Sequence, residues 1–360
     1  MSAEIKVAIV GCGKAGHMHA KSLLNIPECK FTAAQSRNPS RREEFANAYK
    51  INTYADVREM VTKEKIDVVV VCTPHPNHIA AIEAFEAGAH ALIEKPLAST
   101  LADCDAIINA AEKNGKKVGV VGQRRFYPSS VRMKEAIEEG KIGKPILGTI
   151  TMLGWRDEAY YRSDPWRGTW EGEGGGILVN QAPHQLDLFQ WYMNDEFDEL
   201  YGIWRNLNHP YIEVEDTALA IVKFKSGAIG NILVSNSQKP GIYGKVHVHG
   251  SNGASVGVQT DSGAMFIAGM STVVAPPLND IWTIPGEEKL LAKWEEEDAR
   301  FFETIDPIEY YIRAQNRDFI LSVMNNKMPM MTGKEGRKTV ELSTAIYQST
   351  KLNAPVRWPL

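Results

Sequence analysis

The sequence lacks the features that would direct the chain to nucleic acid or to a membrane. Its net charge is -4 and no block of lysine and arginine stands out, so nothing in it would hold a polyphosphate backbone. No apolar stretch approaches the roughly 18 residues of a transmembrane helix, and no basic leader precedes the first apolar run. We therefore expect a cytoplasmic protein with neither nucleic acid nor membrane as a partner.

Cysteine is also scarce in this chain. There are four cysteines, at positions 12, 29, 72 and 104, all in the first third of the sequence. None belongs to a C-x-x-C pair or lies near histidines at metal-ligand spacing. The sequence predicts reduced thiols and no metal site.

The overall composition is that of an ordinary globular protein. Hydrophobic residues make up 44% and charged residues 23% of the 360 positions, which leaves no long disordered tract. A chain of this length exceeds what one hydrophobic core usually supports, so we expect two domains.

The first residues form a pattern of strand, turn and helix. A β-branched run over Ile5–Val10 ends in a G-x-G-x-x-G turn at positions 11–16, and a helical pattern follows. In such a turn the glycines permit a tight bend and the close approach of a pyrophosphate, which meets the helix N-terminus. The candidate cofactor-binding residues of this turn are Gly11, Gly13, Lys14 and Ala15.

The same alternation continues through the first third of the chain. Further strands are predicted over 30–34, 67–72, 91–93 and 117–121, and helices over 41–49, 78–87 and 101–114. Strands that alternate with helices in this way form a parallel sheet with right-handed crossovers. The sequence thus predicts an α/β fold with an N-terminal Rossmann sheet.

The end of the second strand bears on the choice of dinucleotide. Sites for NAD usually carry an acidic residue there, about 20 residues beyond the glycines. Here Ser36 and Arg37 occupy that place, with Arg41 and Arg42 one turn further on. A hydroxyl beside a guanidinium can bind a 2′-phosphate, so the sequence favours NADP over NAD. The alternative is that the three arginines form a solvated basic turn.

Several motifs along the chain resemble the glucose-fructose oxidoreductase and inositol dehydrogenase family (Gfo/Idh/MocA). They are T-P-H-P-N-H at 73–78, E-K-P at 94–96, G-Q-R-R-F at 122–126, and a triple glycine at 174–176 followed by His184. The likeness covers essentially the whole chain, although residues 257–302 match it poorly.

The resemblance implies an architecture of two domains. Residues 1–123 would form the Rossmann domain, and 124–360 an α/β domain built on an open, mostly antiparallel sheet. Alternating runs over 218–225 and 228–235 independently favour such a sheet. Because the open face commonly forms oligomer contacts in this family, we expect a homo-oligomer.

The resemblance also implies the catalytic residues, Lys95 and His184. A helix is predicted over 184–193, and if helical geometry extends back to Asn180, then Asn180, His184 and Asp187 share one face. Asn180 stands where the family more commonly has aspartate. An amide can bind a substrate hydroxyl but cannot take a proton, so we assign Asn180 and Asp187 to substrate binding.

Further contacts follow from the same motifs and from a run of aromatic and charged residues over 155–170. That run suits a carbohydrate, although it could equally be an aromatic core. Additional cofactor residues are Thr73, Pro74, His75, Asn77, His78, Glu94, Lys95 and Gln123. Additional substrate residues are Arg124, Tyr127, Trp166 and Arg167.

These expectations combine into one functional hypothesis. The chain would be an NAD(P)-dependent oxidoreductase that transfers a hydride between nicotinamide and a secondary ring hydroxyl or ketone of a sugar, glycoside or cyclitol, with C3 of a glucoside as a candidate position. Two alternatives are redox-assisted glycosidic cleavage with a retained cofactor and a non-catalytic NAD(P)-binding regulator.

Overall fold

The computed structural model describes residues 4–261 and 275–360, which divide into two compact units. The first unit runs from the N-terminus to Gln123 and includes Pro307–Val340. The second comprises Arg124–Asp306 and Glu341–Leu360. The division after Gln123 coincides with the predicted domain boundary. Residues 307–340, which the sequence assigned to the second domain, belong to the first unit instead.

The first unit is built on a parallel sheet of six strands. The strands are β1 (Ile5–Val10), β2 (Cys29–Gln35), β3 (Asn52–Tyr54), β4 (Val68–Val71), β5 (His90–Ile93) and β6 (Val118–Val120). Their order is β3-β2-β1-β4-β5-β6, and every pairing is parallel. This order is the doubly wound one in which ligands bind beyond the carboxyl ends of the strands. The predicted Rossmann sheet is confirmed.

Helices connect these strands, and their boundaries follow recognisable sequence signals. They are α1 (Lys14–Leu23), α2 (Pro39–Tyr49), α3 (Val57–Glu64), α4 (Ala80–Ala87) and α5 (Leu101–Lys113). Asn38, Asp56 and Thr100 each accept a backbone N–H bond that caps the following helix. Sequence reasoning missed β3 and α3.

The second unit contains a sheet of seven strands. They are β7 (Pro145–Leu153), β8 (Phe197–Arg205), β9 (Thr217–Phe224), β10 (Ile229–Ser235), β11 (Tyr243–Gly250), β12 (Ser255–Asp261) and β13 (Val356–Arg357). Their order is β12-β11-β7-β10-β9-β8-β13, and only β7 and β10 pair in parallel. The expectation of a mostly antiparallel sheet is confirmed.

The remaining helices follow in chain order. They are α6 (Pro128–Glu138), α7 (Glu158–Arg162), α8 (Trp170–Glu173), α9 (Ile177–Asn180), α10 (Pro183–Met193), α11 (Leu290–Glu303), α12 (Pro307–Met324) and α13 (Gly333–Leu352). In the second unit, Leu186 and Phe189 of α10 join a core with Ile150 of β7 and Val222 of β9. Within the described ranges, no helix is both long enough and apolar enough to cross a membrane.

Helix α12 explains why residues 307–340 belong to the first unit. Its residues Ile312, Phe319 and Ile320 are at most 2% exposed and pack in one cluster with Ile9 of β1 and Leu23 of α1. Burying such side chains contributes about 1.5–3 kcal/mol each. The helix therefore completes one face of the Rossmann sheet.

Candidate active site

The glycine-rich turn after β1 is closed on one side and open on the other. Gly11 has φ +108°, and a Cβ there would lie 2.9 Å from the Thr73 backbone nitrogen. A Cβ on Gly16 would lie 2.1 Å from the Gly11 oxygen. A Cβ on Gly13 would meet only the Arg41 guanidinium, at 3.8 Å. The fold itself thus requires glycine at 11 and 16, whereas the space above Gly13 is open.

The N-terminus of α1 is suited to an anion. Gly13 is its N-cap and provides no side-chain hydrogen bond, and the first turn contains no acidic residue. Lys14, the first residue of the helix, is exposed, and Ala15 is half-buried. Uncapped N–H groups and the helix dipole attract phosphate at such a position.

The basic residues beyond β2 have different roles. The Arg42 guanidinium donates to the Ser36 carbonyl at 2.7 Å and to the Arg37 carbonyl at 3.3 Å, so it closes the strand end. Arg37 donates to the Asn77 side chain at 3.1 Å. Arg41 is exposed and is the residue whose guanidinium lies near Gly13. Among the three arginines, Arg41 is therefore the best candidate for a phosphate contact.

Three buried polar atoms lie beyond neighbouring strands of the parallel sheet. Thr73 Oγ1 follows β4, Ser99 Oγ follows β5 and Gln123 Oε1 follows β6, and none of these atoms has a hydrogen-bond partner. A buried polar atom without a partner costs about 1–3 kcal/mol unless a ligand or water satisfies it. Together with the open glycine turn, they fit a dinucleotide at this edge of the sheet.

His78 does not have the cofactor-binding role that the sequence assigned to it. Its ring is fully buried, with Nδ1 at 2.9 Å from the Pro96 carbonyl and Nε2 at 2.9 Å from the Thr73 carbonyl. Burial lowers the pKa of this imidazole. With both ring nitrogens engaged by backbone, His78 connects the segment after β4 to the segment after β5. His75, one turn earlier, is also buried, and Pro74 is exposed.

Glu94, a predicted cofactor residue, forms hydrogen bonds within the protein through both of its carboxylate oxygens. One carboxylate oxygen lies 3.0 Å from His19 Nε2 and the other accepts the Lys95 backbone N–H at 3.1 Å. His19 Nδ1 lies 2.9 Å from the side chain of Asn316. Burial opposes ionisation of Glu94, but the His19 ring and the Lys95 charge hold the pKa of its carboxyl below its ordinary value. This pair fixes the backbone from which the half-buried Lys95 side chain extends.

In the second unit, the candidates lie on a segment that is otherwise buried. Between Ile177 and Gln190, only Asn180 and His184 are not buried. They lie four residues apart, but not on one continuous helix: Asn180 ends α9, a turn at 181–182 intervenes, and Pro183 begins α10. The sequence thus identified the two accessible polar side chains of this segment.

Asp187 does not share that accessibility. It is 3% exposed, and its carboxylate accepts from Arg125 Nη2 at 2.6 Å and Nε at 3.0 Å. Arg125, fully buried, also lies over the Trp191 ring at 4.9 Å. A paired arginine fork occupies both carboxylate oxygens, so Asp187 has a structural role and not the substrate contact we expected.

Asn180 is held by a neighbouring carboxylate. Its Nδ2 donates to Glu173 Oε1 and, at 3.0 Å, to the Tyr160 hydroxyl. Glu173 is 1% exposed, and its other oxygen accepts the Gly168 N–H at 2.6 Å. Sequence reasoning missed both Glu173 and Tyr160, because the triple glycine separates Glu173 from the helix that ends at Asn180, and Tyr160 lies 20 positions earlier in the chain.

The aromatic run contributes the rest of this network. Arg167 donates to the Tyr160 hydroxyl at 2.6 Å and lies 4.4 Å from the Trp166 ring centroid. The side chains of Trp166 and Arg167 are both partly buried. The two other predicted substrate residues are less accessible, since Arg124 and Tyr127 are each 8% exposed, and Arg124 donates to Thr260 at 2.7 Å.

A second buried carboxylate supports the triple glycine. Glu215 accepts the Gly176 and Leu178 N–H groups, each at 2.9 Å, and the Tyr347 hydroxyl at 2.8 Å. Burial raises the pKa of Glu215 to about 7, against the lowering effect of these donors. Glu215 therefore fixes the backbone at the start of α9 through these hydrogen bonds.

The next residue, Asp216, fixes the adjoining loop. It lies 2.7 Å from His209 Nδ1 and accepts the N–H groups of Leu207 and Asn208. Burial opposes its ionisation, but the hydrogen bonds from His209 and these N–H groups hold the pKa of Asp216 well below its ordinary value. Across the described parts of the chain, no group of three or more histidine, cysteine or acidic side chains could hold a metal.

Comparison with protein families gives two matches that together span most of the chain. Residues 5–121 match an oxidoreductase family with an NAD-binding Rossmann fold, and residues 130–256 match the GFO/IDH/MocA C-terminal domain.

Individual relatives and solved structures match a large part of the chain. The chain is 30% identical to myo-inositol 2-dehydrogenase of Thermotoga maritima over 257 residues, which cover 69% of this chain and 74% of that protein. It is 27% identical to scyllo-inositol 2-dehydrogenase (NAD(+)) of Bacillus subtilis over 373 residues, 99% of this chain and 97% of that one. The WlbA dehydrogenase from Bordetella pertussis, solved in complex with NADH and UDP-GlcNAcA, superposes with a TM-score of 0.86 at 25% identity, covering 100% of this chain and 99% of that chain.

Proposed function

The chain belongs to the Gfo/Idh/MocA family of NAD-dependent oxidoreductases, and from this premise we propose that it transfers a hydride to or from a secondary ring carbinol of a sugar, glycoside or cyclitol. The observation that carries this proposal is the pair of accessible side chains, Asn180 and His184, on a segment that is otherwise buried. The inositol dehydrogenases among its relatives, and the dehydrogenase bound to UDP-GlcNAcA, support a polyhydroxylated ring as substrate.

The cofactor would be held by the first unit. The N–H groups at the start of α1 bind its pyrophosphate, and Thr73 and Gln123 supply polar atoms that lack protein partners. A bound nicotinamide supplies the carbon that accepts or releases the hydride. We assign the 2′-phosphate of NADP to Ser36 and Arg41, since the end of β2 has no carboxylate to repel it.

The catalytic residues in this proposal are Lys95 and His184. His184 accepts the carbinol proton during oxidation, because a neutral imidazole is a competent base near pH 7. The Lys95 ammonium donates to the carbinol oxygen and stabilises the negative charge that develops there. Glu94, which contacts His19, accepts the Lys95 backbone N–H and so fixes the main chain from which the Lys95 side chain extends.

The substrate would be bound by the polar and aromatic groups of the second unit. Asn180 binds a hydroxyl near the reacting carbon, Arg167 binds a further hydroxyl, and the Trp166 ring packs against the C–H face of the sugar. We favour C3 of a glucoside as the position oxidised.

A spectrophotometric screen tests the proposal. Purified protein is incubated with glucosides, inositols and their keto forms, with NAD and NADP in separate reactions, and the reduced-nicotinamide absorbance is followed. We expect oxidation of at least one ring polyol and tighter binding of NADP than of NAD in calorimetry. Absence of turnover with every polyol in both directions would contradict the assignment. Release of an aglycone without net change in nicotinamide would indicate glycosidic cleavage instead.

We further propose that the chain forms a homo-oligomer through the open face of its second sheet. Several outward side chains of β8, β9 and β10 are apolar yet exposed, namely Tyr201 at 43%, Leu219 at 46%, Ile221 at 63% and Ile229 at 51%. Large exposed apolar side chains grouped on one face of a sheet are typical of an interaction surface.

Light scattering coupled to size exclusion tests the oligomer. We expect Ile221→Glu to lower the molar mass of the eluting species, because a carboxylate in an apolar interface is not solvated. Leu24→Glu, at a residue 60% exposed on the first unit, is the matched control and leaves the mass unchanged. A wild-type protein that elutes as a monomer would refute the proposal.

A further inference from the structure

Glu173 is a buried carboxylate whose neighbours explain the amide at position 180. It is the last residue of α8 and is 1% exposed. Both of its oxygens accept hydrogen bonds, one from the Gly168 N–H at 2.6 Å and one from Asn180 Nδ2. A carboxylate accepts but does not donate, so it determines which end of the Asn180 amide faces it.

The consequence is a fixed orientation of the Asn180 side chain. Both N–H bonds of its Nδ2 are directed inward, to Glu173 and to the Tyr160 hydroxyl. The carbonyl oxygen Oδ1 occupies the opposite branch of the amide and therefore faces away from Glu173. Asn180 is one of two residues between 177 and 190 that are not buried. The acceptor of this amide therefore lies on the side away from Glu173.

Charge accounts for the amide in place of a carboxylate. Two carboxylates in contact at a buried site cannot both be ionised, so one of them must bind a proton. With Glu173 already present, an aspartate at position 180 would lose its charge or displace Glu173. The carboxyl group of this part of the site is therefore that of Glu173, which contacts residue 180, and not one at position 180 itself.

We propose that Glu173 is a positioning residue for the reaction, because it holds Asn180 with Oδ1 directed to a substrate hydroxyl. This rests on the proposed function, in which Asn180 contacts the substrate. The site then requires a hydroxyl, which can donate, next to the reacting carbon. An O-methyl or keto group at that position has no hydrogen to donate and cannot make this contact.

A charge exchange between positions 173 and 180 tests the contact without any assay of activity. The variants are Glu173→Gln, Asn180→Asp and the double variant, with Glu171→Gln as matched control, since Glu171 is exposed on the same helix. The thermal midpoint of each is measured from pH 5 to pH 9. Asn180→Asp raises the pKa of one carboxyl of the new pair, so its stability falls as pH rises. The double variant restores one carboxylate and one amide, so this pH dependence disappears.

Steady-state kinetics test the positioning role. We expect Glu173→Gln to lower kcat/KM by about 10- to 100-fold, the range for loss of a hydrogen bond to a charged group. We also expect this variant to prefer a hydroxylated substrate over the O-methyl analogue less strongly than the wild type does. The glutamine at position 173 can donate a hydrogen bond, so the Asn180 amide is free to rotate and present either its oxygen or its nitrogen to the substrate. The double variant recovers part of kcat and shifts the pH profile, since a carboxylate at 180 faces the substrate.

The outcomes separate this inference from the proposed function. If Asn180→Asp shows the stability of the wild type at every pH, Glu173 does not hold residue 180 and the inference fails. It also fails if Glu173→Gln keeps the kinetic constants and selectivity of the wild type. If the wild type oxidises no polyol, the proposed function fails, and the stability series alone decides whether Glu173 holds residue 180.

Discussion

The two units hold their functional groups by different means. In the first unit, glycines without side chains and the ends of parallel strands shape the cofactor region, and Thr73 and Gln123 keep polar atoms without protein partners. In the second unit, buried carboxylates hold the backbone and the side chains. Glu173 and Glu215 each accept at least two hydrogen bonds from groups next to the candidate residues.

This difference follows from the ligands that each unit would bind. A pyrophosphate is recognised by backbone N–H groups at one turn, so a short segment suffices. A ring polyol presents several hydroxyls in different directions, and side chains from distant segments must each be oriented. Residues that only orient others are then as important as residues that touch the substrate.

The largest effect is expected at the two residues that we propose to be catalytic, one in each unit. Lys95→Ala and His184→Ala should each lower kcat by about 10²- to 10⁴-fold, since each removes a group that acts on the reacting proton or oxygen. The folded state should persist in both, as judged by the thermal midpoint. Lys113→Ala, at an exposed position at the end of α5, is the control. Turnover at the wild-type rate in either variant would remove that residue from the mechanism.

A smaller effect, on stability, is expected at Glu215. Its pKa rises from 4.5 unfolded to about 7 in the folded protein, chiefly through burial. The folded state then binds the extra proton between these values, so the free energy of unfolding falls as pH rises from about 4.5 to 7, by roughly 3 kcal/mol. Above pH 7 this contribution is constant.

Glu215→Gln removes that contribution. Urea unfolding of wild type and variant across pH 4.5–8 measures it as the difference between the two curves. Glu171→Gln, an exposed change in the same unit, should give a curve parallel to that of the wild type. A constant difference for Glu215→Gln would mean that the Gly176 and Leu178 N–H groups keep this carboxyl ionised throughout.

The same contrast explains what could be predicted from the sequence. The Rossmann strands and the turn at 11–16 were predictable because their signals are local: a short β-branched run, glycines at fixed spacing and a helical pattern. Strand β3 and helix α3 were not predicted, because β3 has only three residues and α3 buries only Val57, Met60 and Val61, which is too few for a clear hydrophobic pattern. Asn180 and His184 were found through a motif, without reference to what holds them.

The parts that could not be predicted involve distant partners. Glu215 meets Gly176 across 39 positions and Tyr347 across 132, and His19 meets Asn316 across 297. No periodicity connects such pairs. The contacts of Asp187 could not be predicted for the same reason. Helical spacing indicates which face of the helix Asp187 lies on, but it does not reveal that the Arg125 guanidinium, 62 positions away, binds the carboxylate.

Two glycines of one turn should separate folding from cofactor binding. Gly16→Ala brings a Cβ to 2.1 Å from the Gly11 oxygen, and such overpacking costs about 1–3 kcal/mol of stability. Gly13→Ala meets only the Arg41 side chain at 3.8 Å, so the fold should tolerate it. It should nevertheless weaken dinucleotide binding, because the methyl group occupies the open side of the turn. Unfolding curves and cofactor titrations of both variants measure this, and equal cofactor affinity in Gly13→Ala and wild type would mean that the pyrophosphate lies elsewhere.

The smallest effects are expected at two neighbouring arginines of the first unit. One of them stabilises the fold, and we propose that the other binds the cofactor. Arg42 donates to the Ser36 and Arg37 carbonyls, so Arg42→Ala should cost about 1 kcal/mol of stability and leave cofactor preference unchanged. Arg41 is exposed beside the glycine turn, so Arg41→Ala should keep the stability but weaken NADP binding by about tenfold relative to NAD. Calorimetric titration with each dinucleotide, beside urea unfolding, distinguishes the two. Were Arg42→Ala to change the NADP preference and Arg41→Ala to leave it intact, the 2′-phosphate would contact Arg42 and not Arg41, and the assignment of roles between these two residues would be reversed.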